Sequence, residues 1–504
     1  MARRLTIERT AVAMLFAIVA VIGVRPRVDA DLWWHLAAGR WMVDHHAVIG
    51  GDPFSWTAAG MTRVPADWLG QVVFWGVWSA GGLTAMVLFV AALAVAGMVA
   101  TYCACTGPTL LKVAVIALAT TAASVFWSAR PQMFTFVFTA LTLLIVRRWS
   151  TDPDRRSIWW LVPLVVVWSN THAGVVYGLI VIVASAVGRL ADDVVAARRP
   201  SPEGASAGAG EDQPRRLDAA ARGRLLAVTG ACLLAPIASA GGIALYALPF
   251  RHYELNALVI EEFQPPSLAD PAMWPFFVLL TLALAAIGSG IRARDTRVAD
   301  VLLVLVVGAL ALRFTRAVSF FAVVAAPVVC EQATRWVELR REDRAAGRAG
   351  GAEPAIRPAV LGVALAATVV IAIGGGVARL DQARTDVEES FPVGAQRWLA
   401  TNRPPGHLFN PFSWGGYLEL HDPSMPVSID SRNDLYGERL AWYAQVATVS
   451  GDWAGALDRD QVNTVLVPTG SALDLALTGR AGWHRGHQDA VATVHVRDTP
   501  IPGG

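Results

Sequence analysis

The chain has 504 residues, of which 54% are hydrophobic and 16% charged, with a net charge of +2 and a mean hydropathy of +0.45. A soluble globular domain carries about 25% charged residues, so the composition excludes an ordinary soluble enzyme and indicates a polytopic membrane protein. The balanced charge leaves no basic footprint for nucleic acid.

All of the basic residues except Lys112 are arginine, a skew that suggests a GC-rich bacterial coding sequence. The four cysteines, Cys103, Cys105, Cys232 and Cys330, lie in or beside apolar runs. A disulfide framework is therefore not expected.

A membrane-spanning helix needs roughly 20 apolar residues. Eleven runs approach this, at about 8–24, 83–104, 110–128, 131–147, 157–170, 173–190, 224–240, 273–289, 298–313, 317–333 and 358–378. The first is read as an uncleaved span rather than a signal peptide. Residues 68–80, WLGQVVFWGVWSA, read as a Trp-rich interfacial helix. Eleven spans put the N-terminus in the cytoplasm and the C-terminal segment outside the plasma membrane. Most arginines then fall on inside segments, and the outside loops carry Arg25, Arg27, Arg40, Arg63, Arg130, Arg251, Arg313 and Arg316. That bias follows the positive-inside rule. Residues near 196–220 and 342–358 read as disordered cytoplasmic linkers.

From about 379 to 504 the pattern changes. Short apolar stretches such as HLFN, PVSID and NTVLVP alternate with helical ones such as LAWYAQVATV and SALDLALT, and GWHRGHQDAVATVHVR reads as a hairpin. This predicts a small extracytoplasmic α/β domain behind a helical membrane domain covering 1–378, whose first outer loop spans 25–82.

Ionisable groups at the edge of a span are costly unless paired or functional, and here they gather on the outer side. Asp29, Asp31 and His35 follow the first span in DADLWWHLAAG, with Asp52 and Asp67 in the same loop. Arg130 and Gln132 lie in SARPQMF, Asn170 and His172 in WSNTHAG, Glu261 and Glu262 after the seventh span, and Arg313 and Arg316 in LRFTRAVSF. The tryptophans of WWH read as a headgroup anchor. The inner loops carry ordinary arginine.

Carboxylates facing arginines at the outer leaflet suit a lipid-phosphate substrate. Arginine holds phosphate oxygens with a planar fork of donors. An aspartate takes the proton of an attacking hydroxyl, or holds Mg²⁺ or Mn²⁺ together with waters. No Gly-rich phosphate loop is present, which argues against a nucleotide-driven pump. Two other readings stay open, a transporter or flippase of a lipid-linked glycan and a non-catalytic envelope-assembly protein.

The stretches DADLWWHLAAGRW, DPFSW, ADWLGQ, ARPQMF, WSNTHAGVVYGL, FNPFSWGGYLELH and IDSRNDLYG span almost the whole chain. In layout it resembles the GT-C superfamily of polytopic glycosyltransferases, and within it a group of uncharacterised bacterial GT-C-like membrane proteins. The resemblance implies transfer of a sugar from a polyprenyl-phosphate donor to a glycan, lipid or protein acceptor. It gives Asp31 or Asp29 the role of first-loop base or metal ligand. Asp67 stands where a glutamate is expected in ADWLGQ, which keeps the charge and shortens the reach. Asp430 and Arg432, with Asp434, cluster after a strand and are expected to help bind the acceptor. The enzyme reading requires Asp29 or Asp31 to share a site with Arg130, Arg316 or His172.

Overall fold

The computed structural model describes residues 6–198, 216–248, 261–293, 296–345 and 358–502. The N-terminal Arg3 and Arg4, most of both linkers and Arg251 lie outside the described residues, as does the side chain of Glu261.

Helices occupy all eleven expected segments. Eight helices among the described residues are long and apolar enough to cross a membrane: Trp68–Ala104, Thr109–Phe126, Gln132–Thr151, Val175–Ala197, Ala219–Ala238, Pro271–Ala293, Thr315–Glu338 and Ala359–Ser390. Three shorter apolar helices complete the set, Ile7–Gly23 with 17 residues, Leu161–Thr171 with 11 and Val298–Arg313 with 16. The Trp-rich segment at 68–80 is not a separate element. It runs on into the second span as one 37-residue helix, broken only by non-helical backbone at Gly81 and Gly82.

The chain divides into two compact units. The first comprises Met1–Val24, Leu88–Trp127 and Gln132–Val377. Its helices approach closely where glycine meets a neighbour. A Cβ on Gly97 would strike the Phe136 ring, and one on Gly188 would strike the Ala299 backbone. Trp149, Trp168, Val165 and Val228 fill one of its cores. Arg147 ties three helices together by pairing with Asp300 at 2.5 Å and Glu331 at 3.2 Å. Arg297 and Arg335 also reach Glu331, at 3.2 and 2.9 Å.

The second unit comprises Arg25–Val87, Ser128–Pro131 and Ala378–Gly504. The first loop and the turn around Arg130 therefore belong to the same unit as the C-terminal residues. Its sheet holds β1 (His407–Phe409), β2 (Val462–Pro468), β3 (Trp483–Gln488) and β4 (Ala492–Arg497) in the order β1-β2-β4-β3. β1 and β2 are parallel, and β4 is antiparallel to both β2 and β3, which makes the expected hairpin. Val462, Val465, Leu466 and Val467 of β2 are buried on both faces, as suits an inner strand covered by helices.

PVSID forms no strand of this sheet. Val427 instead bridges to Ser55 of the first loop, with Trp56 N–H donating to the Val427 carbonyl and Val427 N–H to the Phe54 carbonyl, both at 3.0 Å. Asn410, one residue past β1, holds the same segment. Its amide donates to the Ile429 carbonyl and its oxygen accepts the Ser428 N–H, each at 2.8 Å. Residues 427–432 are thereby fixed between the first loop and the sheet.

Candidate active site

The site begins at the N-terminus of the helix Asp31–His45. The first N–H groups of a helix lack intrahelical partners, and Asp29 meets them. Its Oδ1 accepts the Asp31 N–H at 3.0 Å and its carbonyl accepts the Leu32 N–H at 3.1 Å. Asp31 stands in the first turn, where the positive end of the helix favours an acid. Arg130 is presented by a four-residue turn in which its own N–H donates to the Ser128 carbonyl at 2.8 Å. Pro131 keeps Arg130 out of helical geometry, and the next helix starts at Gln132. The Arg130 Nε lies 2.7 Å from Asp29 Oδ2 and 3.1 Å from Asp31 Oδ2. The acids and one of their expected cations thus share a site.

A fourth residue completes it. The Ser431 hydroxyl donates to Asp31 Oδ1. Ser431 lies between Asp430 and Arg432, the centre of a buried charge network. Arg432 Nε donates to both oxygens of Asp430, at 2.8 and 3.0 Å, Nη1 to Asp52 at 2.7 Å, and Nη2 to Glu419 at 3.3 Å. Tyr436 donates its hydroxyl to Asp430. The Arg432 guanidinium also lies between the rings of Trp34 and Phe54, 5.8 and 5.5 Å from their centroids.

Burial disfavours a charge on Asp430, but Arg432 outweighs it and holds the carboxyl down to about 2. Burial, and then the neighbouring Asp430 carboxylate, push Glu419 well above the usual carboxylate range, against the pull of Arg432. The network therefore favours the protonated form at Glu419 and the ionised form at Asp430.

The other expected residues of this unit are structural neighbours of that network. His35 is buried, 3.2 Å from Gln71 Nε2 through Nδ1, with its ring tilted against that of Trp34, centroids 3.6 Å apart. Asp67 is buried and lies 3.5 Å from Arg63, which donates to Asp434 at 2.9 Å and covers the Trp34 ring. A cavity of about 50 Å³ lies between Trp34, Met42, Trp68, Arg63 and Arg432, large enough to admit water. The WWH tryptophans are not a headgroup belt. Trp33 packs edge-on against Trp78, Phe391 and Tyr417, and both indoles are buried in the protein.

The remaining candidates belong to the first unit. Gln132 donates to the Phe126 carbonyl at 2.8 Å, and Asn170 to the Val166 carbonyl at 2.8 Å while accepting the Ala240 N–H at 3.1 Å. His172 Nδ1 accepts the Gly174 N–H at 3.0 Å and lies 2.8 Å from Thr135 Oγ1, which in turn accepts the Trp168 indole N–H. An Nδ1 that accepts leaves the ring proton on Nε2. Arg313 and Arg316 lie over the rings of Phe314 and Phe263, at 5.2 and 4.7 Å.

Two features escaped the sequence reading. Ser431 carries no signal of its own, although its flanking charges SIDSRND do. Arg147, Asp300 and Glu331 form a buried charge cluster joining the helices Gln132–Thr151, Val298–Arg313 and Val318–Ala345 of the first unit.

No protein-family model and no curated protein sequence matches the chain. Solved structures do. The apo oligosaccharyltransferase of Archaeoglobus fulgidus aligns at 12% identity and a TM-score of 0.50, covering 90% of this chain and 69% of that one. The same enzyme tethered to an acceptor peptide with the NVT sequon aligns at 13% identity and 0.51, covering 96% and 74%. ArnT of Cupriavidus metallidurans bound to undecaprenyl phosphate aligns at 14% identity and 0.45 over 98% of both chains. The helical architecture and the small C-terminal sheet domain agree with that likeness, and the chain is a polytopic membrane protein with a GT-C-like fold.

Proposed function

We propose that the protein is a membrane glycosyltransferase that moves a sugar from a polyprenyl-phosphate donor to an extracytoplasmic acceptor. The observation that carries this reading is the Asp29–Arg130–Asp31 site at a helix N-terminus, completed by Ser431. The GT-C-like fold supports it. The distribution of arginines supports a cytoplasmic N-terminus and an extracytoplasmic C-terminal domain.

The acceptor hydroxyl attacks the anomeric carbon, its proton passes to an aspartate, and the polyprenyl phosphate leaves with the electrons of the broken carbon–oxygen bond. Asp31 is assigned as the base. Its side chain is 22% exposed against 16% for Asp29, and Asp29 is committed to capping the helix. Ser431 orients Asp31, while Asp430 and Arg432 hold Ser431. They are positioning residues rather than acceptor contacts, since Asp430 is fully buried.

The test is a deletion strain complemented with wild type, Asp31→Asn or Asp29→Asn, with lipid-linked glycans profiled by mass spectrometry. Wild type restores the profile, and Asp31→Asn, expressed at the same level, does not. Restoration by both variants sinks the reading.

A further inference from the structure

Enzymes with acids in a first outer loop are natural holders of a divalent cation, and Asp29 with Asp31 was the expected pair. The donor set here does not fit one. Each of the four carboxylate oxygens already has a protein partner. Asp29 Oδ1 accepts the Asp31 N–H and Asp31 Oδ1 the Ser431 hydroxyl. Asp29 Oδ2 and Asp31 Oδ2 both face the Arg130 Nε, at 2.7 and 3.1 Å. That nitrogen stands between the two acids, where a bridging cation would have to sit. A Mg²⁺ or Ca²⁺ ion needs carboxylate oxygens at about 2.0–2.6 Å, so metal and guanidinium exclude each other. Among the described residues, no group of three or more His, Cys, Asp and Glu is placed to hold a metal elsewhere.

The charge balance agrees. Arg130 offsets one of the two acid charges, and the helix N-terminus contributes about half a positive charge more. The residue is about half a negative charge, which a guanidinium and a helix end tolerate without a metal.

We infer that Arg130 is the built-in cation of this site, taking the place a divalent metal would occupy between Asp29 and Asp31. The inference rests on the glycosyltransferase reading only for its meaning in catalysis. The charge is then carried by a side chain with fixed geometry, and occupancy of the site does not depend on metal supply.

Manganese binding tests this directly. The purified full-length protein in lipid nanodiscs is titrated with Mn²⁺ and the free ion followed by electron paramagnetic resonance. Wild type and Arg130→Lys, which keeps the charge, are expected to bind no Mn²⁺ at the acids. Arg130→Gln is expected to gain Mn²⁺ binding at the acids, and adding Asp31→Asn should remove the gained binding. Wild-type binding that Asp29→Asn or Asp31→Asn abolishes would overturn the inference. So would an Arg130→Gln protein of unchanged thermal stability that gains none. If Arg130→Gln does not fold, the wild-type titration alone decides. None of these outcomes depends on transfer activity, so failure of the glycosyltransferase reading would show separately in the lipid profiles.

Discussion

Ser431 and Asp31, 400 positions apart in the chain, are joined by a hydrogen bond from the serine hydroxyl to Oδ1 of the aspartate. The bond carries the order of the C-terminal charge network to the first loop. A hydrogen bond to a charged group contributes about 1.5–3 kcal/mol. Ser431→Ala is therefore expected to lower kcat of transfer by about 10- to 100-fold and to lower the melting temperature, with KM nearly unchanged. Ser431→Thr, which retains the hydroxyl, restores most of the rate. Equal loss in both variants would point to a packing role instead.

Arg432 is a matter of stability. Its guanidinium contacts Asp430, Asp52 and Glu419 with a side chain 6% exposed. Removing one partner of a buried ion pair leaves uncompensated charge and costs about 3–5 kcal/mol. Arg432→Met is expected to lose most folded protein in detergent. Asp430→Asn, which leaves Asp52 opposite Arg432, should melt above it. The check is a thermal melt followed by tryptophan fluorescence.

Glu419 gives the fold a pH dependence of definite sign. Its carboxyl is raised well above the usual range in the folded protein, so its contribution is fully present below the ordinary value of 4.5 and is lost as pH rises through the raised one. Asp430, held down to about 2, contributes above its ordinary 3.8 and is lost only as pH falls towards about 2. Glu419→Gln mimics the protonated acid, since the amide oxygen still accepts from Arg432. The variant is expected to flatten the fall in melting temperature that wild type should show as pH rises. A parallel fall in both would sink the assignment.

Gly416 sets the spacing of two helices. A Cβ there would lie 2.6 Å from the Trp34 nitrogen, at the crossing of Gly415–His421 with Asp31–His45. Gly416→Ala must push the helices apart and is expected to cost about 1–3 kcal/mol. Gly76→Ala, at an exposed position of the helix Trp68–Ala104 with open space around it, should cost nothing. Melting temperatures of the two variants compare them, and the prediction fails if Gly416→Ala is the milder.

What the sequence showed follows from what a linear pattern can encode. Apolar run length located the membrane helices, and alternation located the hairpin Trp483–Arg497. The joining of Asp29, Asp31 and Arg130 was legible because unusual charges at span ends need partners. The burial of Trp33 and Trp34 was not. Tryptophan suits both a headgroup boundary and a protein core, and it is the close approaches at Gly39 and Gly416 that make the helix Asp31–His45 an inner element. Ser431 was hidden because a serine becomes a positioning group only through a neighbour far along the chain. PVSID has the composition of a strand, but its partner is the first loop rather than the sheet. Asp300 and Glu331 were in plain sight within apolar helices and were outweighed by the outer charges.

The second unit is made from three separated stretches, Arg25–Val87, Ser128–Pro131 and Ala378–Gly504. Its order of synthesis is therefore its difficulty. Asp31 is made about a hundred residues before Arg130 and 400 before Ser431. Contacts of such sequence separation form slowly. Asp52 and Asp430 have no counter-ion until Arg432 arrives, so a nascent chain stopped before that point carries an unfinished centre. Residues 379–504 expressed alone would bury Arg432 without Asp52. Closure of the charge centre around Arg432 is thus a late step of folding during synthesis, and chains truncated before Arg432 are expected to be degraded rather than to persist in the membrane.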